Sequence, residues 1–448
     1  MKKRLSGILF SLVAIPAFAQ NYLSRYVDTG LANNQLLKEK NISLEQSIVM
    51  LKNAKSFFLP ALTFNTDYLS AQGGRSIDLP LGDLLNSAYS SLNQLTSSHK
   101  FSPVNNISQQ FLPNNFYDAR FRISYPLLNP DLYYNSKIGS QGVLMAKYGV
   151  EIYRRQLIKE IKQAYFAYCS SYDAVRIYRN ALQLVDENLT ATRALEKNGK
   201  GLPANVLRAE SERQDVFAKI IESENARITA RNYLNFLINR PFTDSVVFEQ
   251  QDIPDSMVRM LAAEPDTRDR SELRQLDAGI EQSAGLIKQS RSYYIPKVNT
   301  YLDLGSQAAN FEFGSHSRYY LFGAQLSMPI FDGGRNKNNI KLAQLDRSSL
   351  LLQKDQLSKQ LQFAALSARS NVVTAMAQAR ATIVELTAAR AYFNLIDKGY
   401  REGVNSQLEY IDARDQFTNA ALKLNIARYN VLAQLAEYER QTVTSKLQ

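Results

Sequence analysis

Two stretches of this 448-residue sequence decide the fold: AKSFFLP at residues 54–60 and KQSRSYYIP at residues 288–296. In each stretch, a polar helical pattern ends in two aromatic residues, an aliphatic residue and a proline. Proline ends a helix and favours extended geometry in the residue before it. The chain therefore contains an internal repeat, in which a helix is followed by extended structure both times.

Alternating sequences after both prolines predict β-strands with one apolar and one polar face. The apolar positions are Leu62, Phe64 and Tyr68 in the first copy, and Val298, Thr300, Leu302 and Leu304 in the second. A second strand in each copy, at 116–125 and 319–328, alternates in the same way. We expect Pro126 and Pro329 to end these strands. The polar segment at about 70–115 is expected to be a long loop, and the segment at 306–318 a shorter one.

A very long helix is predicted after each pair of strands, because apolar residues recur there with the 4-3 spacing of coiled coils. The stripe of the first helix is Leu157, Ile161, Ala164, Tyr168, Val175, Tyr178, Leu182, Val185 and Leu189. The stripe of the second runs from Leu357 to Ile396 and is rich in alanine. Roughly 60 helical residues make a rod of about 90 Å.

Glycine-bearing turns follow both rods, KNGKGLP at 197–203 and KGYREGV at 398–404. Turns of this kind join antiparallel helices. Returning helices are predicted at 204–239 and 406–439, so each copy ends in a helical hairpin.

The start of the chain reads as a signal peptide at residues 1–19. A basic beginning precedes an apolar stretch and the cleavage pattern Ala17-Phe18-Ala19. An uncleaved anchor is the alternative, but the apolar stretch is short for a membrane span.

The remaining layout follows from the repeat. The first copy covers 20–240 (β-hairpin about 61–126, helical hairpin about 131–239), a connector 241–270, the second copy 271–440 (β-hairpin about 297–329, helical hairpin about 335–439) and a tail 441–448. Within the connector, Val246–Phe248 is a candidate for one short strand.

Composition excludes several functions. The formal net charge is +11, but Lys and Arg are spread along the helices of an exported chain, so no nucleic-acid partner is expected. Two His and one Cys make a His/Cys metal site improbable, and we expect no cofactor. No catalytic motif stands out, which predicts a protein that is not an enzyme. Cys169 is expected to be a free thiol buried on a helix.

Counting strands predicts the assembly. One chain offers four amphipathic strands, which cannot close, and open strand edges are not tolerated in lipid. Eight strands from a dimer close into a barrel that side chains nearly fill, whereas twelve from a trimer leave a passage. The expected fold is therefore an α+β membrane protein: a trimeric 12-stranded transmembrane β-barrel continued by an α-barrel of coiled-coil hairpins.

This layout resembles the TolC-like outer membrane efflux protein family over nearly the whole mature chain. Short stretches share the resemblance: LPAL at 59–62, MPIFDGG at 328–334, NRP at 239–241 and GVNSQLEYIDA at 403–413. It implies an exit duct in the outer membrane of a Gram-negative bacterium. The implied partners are outer-membrane lipid, a periplasmic adaptor (membrane fusion) protein and an inner-membrane pump of RND, ABC or MFS type.

The resemblance also implies site residues. Glu409 and Asp412 match acidic rings that narrow the periplasmic mouth and favour cations; an ordinary solvated helix face is the alternative. Tyr400 matches a tyrosine that hydrogen-bonds in the closed gate, although it equally fits simple packing. Asn205 and Asn405 stand where an acidic and a basic residue would form an ionic latch.

The turn residues Gly199, Gly201, Leu202, Gly403 and Val404 match the tip where the adaptor docks, although glycines also serve tight turns in any protein. A different class of protein, a structural periplasmic or surface coiled-coil protein without channel activity, would explain the heptads but not the amphipathic strand pairs.

Overall fold

The computed structural model describes residues 22–253, 261 and 264–442. The signal peptide expected at 1–19 lies outside these residues, as do much of the tail and part of the connector. The described chain forms two compact units. The helical unit comprises residues 22–48, 141–280 and 348–442, and the sheet unit comprises residues 49–140 and 281–347.

The elements alternate as the repeat predicts. The helices described are α1 (Tyr22–Asn33), α2 (Gln35–Ser56), α3 (Leu81–Leu95), α4 (Pro130–Lys197), α5 (Pro203–Leu237), α6 (Ser271–Arg291), α7 (Arg335–Arg401) and α8 (Gln407–Thr442), with a 3-10 turn at Ser292–Tyr294. The strands are β1 (Ala61–Leu69), β2 (Ser76–Leu79), β3 (Ile107–Gln110), β4 (Phe116–Leu128), β5 (Lys297–Ala309) and β6 (Arg318–Ser327). The α+β class expected from the sequence is confirmed.

The sheet unit is built on four antiparallel strands in the order β1-β4-β5-β6. Strands β4 and β5 join the two copies of the repeat, and β1 and β6 are the edges. Phe64 pairs with Phe121, and Leu302 pairs with Phe322, so the apolar positions of neighbouring strands share one face. That face is exposed in the single chain, since large side chains such as Phe64, Phe121, Leu304, Phe322 and Leu326 have no cover.

The opposite face of the sheet carries charge. Arg122 reaches the buried carboxylate of Asp303 with two hydrogen bonds, of 2.7 Å from Nε and 2.6 Å from Nη2. Tyr319 donates a 2.7 Å hydrogen bond to Asp118, which also pairs with Arg120. One surface of the sheet is therefore apolar and the other is hydrogen-bonded and ionic.

Two expectations about the strands are wrong. Pro126 does not end β4, which continues to Leu128 with a shift of register between Pro126 and Leu128. Proline has no N–H to donate, so it is tolerated at such an irregularity. Val246–Phe248 is not a strand. Two of its backbone groups bond to tyrosine hydroxyls instead. Tyr168 donates to the carbonyl of Val246 at 2.7 Å, and the N–H of Val247 donates to Tyr26 at 2.9 Å.

The segment at 70–115 is more ordered than the expected loop. It contains the β2–β3 ladder and helix α3. Its asparagines, which suggested a loop, bond to the backbone: the side chain of Asn86 accepts from and donates to Val104 at 2.8 and 2.9 Å, and Asn93 does the same with Phe101 at 3.1 and 2.8 Å. Side-chain amides thus hold α3 against the segment that follows it.

The helical unit has coiled-coil cores at the predicted stripes. Ala181 and Val185 of α4 pack with Val216 and Ile220 of α5. Ala368, Val372, Ala375 and Ala379 of α7 pack with Val431, Leu435 and Tyr438 of α8. Cys169 is a free, buried cysteine, as expected, and burial raises the pKa of its thiol to about 12. These hairpins position the two helical turns described next.

Candidate functional site at the helical tips

The first tip joins α4 to α5. Gly199 has a φ of +71°, and the N–H of Lys200 donates to the carbonyl of Leu195 at 2.9 Å, which closes the end of α4. Such left-handed geometry favours glycine. At Gly201, an added Cβ would lie 3.0 Å from the nitrogen of Glu196. The turn therefore presents Leu202, which is 66% exposed, immediately before α5.

The second tip joins α7 to α8 with similar chemistry. Gly403 has a φ of +78°, and Val404 N–H donates to the carbonyl of Gly399 at 2.7 Å. Val404 is 79% exposed. Both copies of the repeat thus end in a glycine turn that carries one solvent-exposed aliphatic side chain.

Glu409 lies in the first turn of α8, and one of its carboxylate oxygens is hydrogen-bonded to the residues before it. Its carboxylate accepts hydrogen bonds from the N–H of Ser406 at 2.7 Å and the hydroxyl of Ser406 at 2.9 Å, and a longer one of 3.5 Å from Asn405. These hydrogen bonds lower the pKa of Glu409. The Ser-x-x-Glu pattern at 406–409 is a capping box, a signal that the sequence displays openly.

Asp412 lies one helical turn beyond Glu409 and is also exposed. Its carboxylate accepts a 2.7 Å hydrogen bond from Gln416. Residues three apart on a helix are neighbours on its surface. The structure therefore keeps both carboxylates on one exposed face of α8, and both remain candidates for an acidic mouth.

Tyr400 is held by packing more than by hydrogen bonds. Its ring centroid lies 4.9 Å from that of Tyr410, and its hydroxyl is 3.4 Å from that of Thr192 on α4. Tyr400 borders a core cluster formed by Phe393, Tyr410, Ile411 and Ala413. The residue thus fixes the end of α7 against α4 and α8 within one chain.

The two asparagines at the expected latch have separate partners. Asn405 donates to Glu409, and its side chain occupies the space beside Gly399, where an added Cβ would fall 1.9 Å from Asn405 Oδ1. Asn205 acts through its main chain, because its carbonyl accepts a 3.0 Å hydrogen bond from Gln407 Nε2. Gln407, which sequence reasoning missed, therefore links the two tips.

Among the residues that the structure describes, no helix combines the length and apolarity that a membrane crossing requires. Across the same part of the chain, no group of three or more His, Cys, Asp or Glu side chains is placed to share a metal ion.

Part of this chain matches proteins that are already known. A model of the outer membrane efflux protein family matches residues 268–439, which cover most of the second copy of the repeat. The chain is 29% identical to the outer membrane protein OprJ of Pseudomonas aeruginosa over 143 residues, which are 30% of this chain and 28% of OprJ. This chain is similar to the TolC-like outer membrane efflux protein family.

A longer match joins the chain to the probable outer membrane lipoprotein SilC of Salmonella typhimurium, at 23% identity over 254 residues. That match covers 54% of this chain and 53% of SilC, whereas the match to OprJ covers 28% of OprJ. The chain therefore spans about half the length of SilC and a smaller share of OprJ.

The fold agrees with a solved family structure over most of its length. The Campylobacter jejuni CmeC outer membrane channel superposes with a TM-score of 0.74 over 94% of this chain and 85% of CmeC. At 16% identity this likeness shows the fold alone. The family resemblance drawn from the sequence is confirmed.

Proposed function

We propose that this protein is the outer-membrane exit duct of a tripartite efflux or type I secretion system. It carries cargo passively from the periplasm to the exterior. The observation that carries this proposal is the four-stranded sheet, with one exposed apolar face, one polar and ionic face, and two open edges. Lipid would cover the apolar face, and a water-filled lumen suits the polar one.

The open edges argue for a homotrimer. Strands β1 and β6 each present unpaired backbone groups, which lipid does not tolerate. Pairing β6 of one chain with β1 of the next closes a 12-stranded barrel with room for a passage. The outer-membrane localisation that the names of OprJ and SilC state supports the same assignment.

Glu409 and Asp412 are proposed to line the periplasmic mouth. Both are exposed on the first turns of α8, directly beside a helical tip. Three copies of two carboxylates around one axis would favour cations. Tyr400, Asn405 and Asn205 are proposed to shape the closed gate. Tyr400 contacts Thr192 of α4, Asn405 bonds to the start of α8, and Asn205 of α5 accepts from Gln407 of α8.

Leu202 and Val404 are proposed to dock the periplasmic adaptor, through which an inner-membrane pump delivers cargo. Both are exposed aliphatic residues on turns whose shape depends on Gly199, Gly201 and Gly403. If so, L202E and V404E will abolish the resistance or secretion phenotype that the wild-type gene restores to a deletion strain. The control K200E, which changes charge at the same tip, will not.

The alternative is a structural coiled-coil protein of the periplasm or cell surface. It would not require the exposed apolar face of the sheet. Membrane fractionation separates the two functions: an exit duct stays with the outer membrane after washes with high salt and alkaline carbonate. Release of the full-length protein into the soluble periplasmic fraction would favour the structural alternative.

A further inference from the structure

Helices α5 and α8 lie side by side near the tips. Gln407 donates to the carbonyl of Asn205 at 3.0 Å, and Arg414 Nη2 donates to Glu212 Oε2 at 2.9 Å. Each contact joins residues 202 positions apart, two fewer than the 204 that separate the turn glycines Gly199 and Gly403. Because both contacts keep one offset over seven residues, the two helices run parallel in coiled-coil register.

One row of buried residues on α8 near the tip is largely polar. Its members are Gln407, Ile411, Arg414, Thr418 and Asn425, while Tyr410, Ala413 and Ala420 are buried beside it. Polar residues at such positions specify register and partner at some cost in stability. The packing of α8 near the tip is therefore specified by hydrogen bonds and charge as much as by apolar contact.

Arg414 and Glu212 form the most deeply buried ion pair of this seam. Their side chains are 1% and 12% exposed. The second oxygen of Glu212 accepts from Arg208 at 2.9 Å, and Asp415 accepts from Arg414 at 2.8 Å. Removing one partner leaves Arg414 with Asp415 alone or Glu212 with Arg208 alone, so a buried charge loses part of its compensation, which is destabilising.

The two copies of the repeat carry different residues at the positions of this pair. The turn glycines Gly199 and Gly403 and the helix starts Pro203 and Gln407 correspond at an offset of 204, so Arg414 corresponds to Glu210, and Glu212 to Gln416. Two first-copy helices with the same contact would place Glu212 against a glutamate, and two second-copy helices would place Arg414 against a glutamine. Neither pairing forms the ion pair, so the sequence favours α5 beside α8.

We propose that Glu212 and Arg414 are a pairing code between the two copies of the repeat. The pair makes a first-copy hairpin pack beside a second-copy hairpin near the tips. In the proposed trimer it sets the alternation of the copies around the tube, and it holds the start of α8, with Glu409 and Asp412, at the mouth. The consequence for the tube rests on the proposed function, whereas the pairing within one chain does not.

Charge reversal tests the pairing in purified, detergent-solubilised full-length protein. The measurement is amide hydrogen exchange in peptides from 203–216 and 407–420. We expect E212R and R414E each to accelerate exchange by at least about tenfold in both peptides. The double variant E212R/R414E should recover most of the protection, incompletely because Arg208 and Asp415 keep their signs.

E210R is the matched control. Glu210 lies on the same helix and pairs at 2.7 Å with Arg193, but these side chains are 44% and 59% exposed. Exposed pairs contribute little, so exchange should change by less than about fivefold. Equal effects of E210R and E212R would overturn the proposal.

If the charge-reversed variants do not accumulate as folded protein, a double-mutant cycle that removes the charges replaces them. If the two residues are coupled, the acceleration of exchange in E212Q/R414M should be smaller than the product of the accelerations in E212Q and R414M. Effects that simply multiply would overturn the pairing. None of these readouts needs a conducting channel, so a wild type without conductance would contradict the proposed function and leave the pairing standing.

Discussion

Ser406 and Glu409 close the first turn of α8 together. The N–H and the hydroxyl of Ser406 both donate to the Glu409 carboxylate, at 2.7 and 2.9 Å, while the N–H of Glu409 lies 3.3 Å from the Ser406 hydroxyl oxygen. Glu409 therefore has two roles, a structural one at the helix end and a proposed electrostatic one at the mouth. Replacing it with alanine would remove both at once.

Glutamine separates these roles, because it preserves a capping box without the charge. We expect E409Q/D412N to lose most of the cation preference of the channel while its thermal stability stays close to that of wild type. Reversal potentials across a bilayer under a KCl gradient measure the preference. The control D355N removes an exposed carboxylate elsewhere, on α7. Unchanged selectivity in the double variant would remove both residues from the constriction.

S406A tests the structural role. Loss of a capping hydroxyl costs about 1 kcal/mol, so exchange of amides at the start of α8 should accelerate about fivefold. The N–H and then the hydroxyl of Ser406 lower the pKa of Glu409, and S406A removes only the hydroxyl, so the pKa should rise part of the way toward its ordinary value. Cation preference should then disappear at a higher pH in S406A than in wild type. S406T, which retains a hydroxyl, should behave like wild type in both measurements.

Glu272 predicts acid sensitivity of the helical unit. It accepts hydrogen bonds from Arg270 at 2.6 and 2.9 Å and from Arg440 of α8 at 2.8 Å. Burial alone would raise the pKa of Glu272, but Arg270 and Arg440 outweigh burial and lower it to about 2. Because the pKa of Glu272 is lower in the folded than in the unfolded state, its ionised carboxylate stabilises the fold at pH values above the unfolded pKa. That stabilisation is lost as pH falls toward 2.

The loss should amount to about 3 kcal/mol between pH 5 and pH 2, from the pKa difference. E272Q should be less stable than wild type at pH 7 and show a flatter dependence of unfolding temperature over that range. E281Q, which changes an exposed glutamate of the same helix, serves as the control. Parallel pH profiles for wild type and E272Q would contradict the assignment.

Gly323 should tolerate no side chain while Tyr301 remains. The two residues are cross-strand neighbours of β5 and β6, and an added Cβ would lie 2.4 Å from the Tyr301 ring. G323A should therefore lower the amount of folded protein in the outer membrane. Y301S/G323A should restore part of it, since the colliding ring is gone. An unaffected G323A would show that the ring moves aside freely.

The sequence predicted the helices well, because the 4-3 spacing of apolar residues from Leu157 to Leu189 indicates a helix that buries this stripe. The prediction failed for segments whose conformation depends on side chains from elsewhere in the chain. The carbonyl of Val246 and the N–H of Val247 bond to Tyr168 and Tyr26, which lie far away in the sequence. Likewise, Asn86 and Asn93 stabilise α3 through contacts that composition alone does not show.

The two helical tips show the same division between local sequence patterns and contacts between distant residues. The glycine turns and the Ser406–Glu409 capping box are local patterns, and a single sequence reveals them. The links from Gln407 to Asn205 and from Arg414 to Glu212 depend on which helices pack together.

Conductance in planar lipid bilayers tests the central claim most directly. Purified, detergent-extracted full-length protein should insert and give discrete, cation-preferring conductance steps, each corresponding to one trimer. The E409Q/D412N variant should give steps without that preference. Wild-type protein that is folded, as judged by its helical circular dichroism, but never conducts would contradict the assignment as an exit duct.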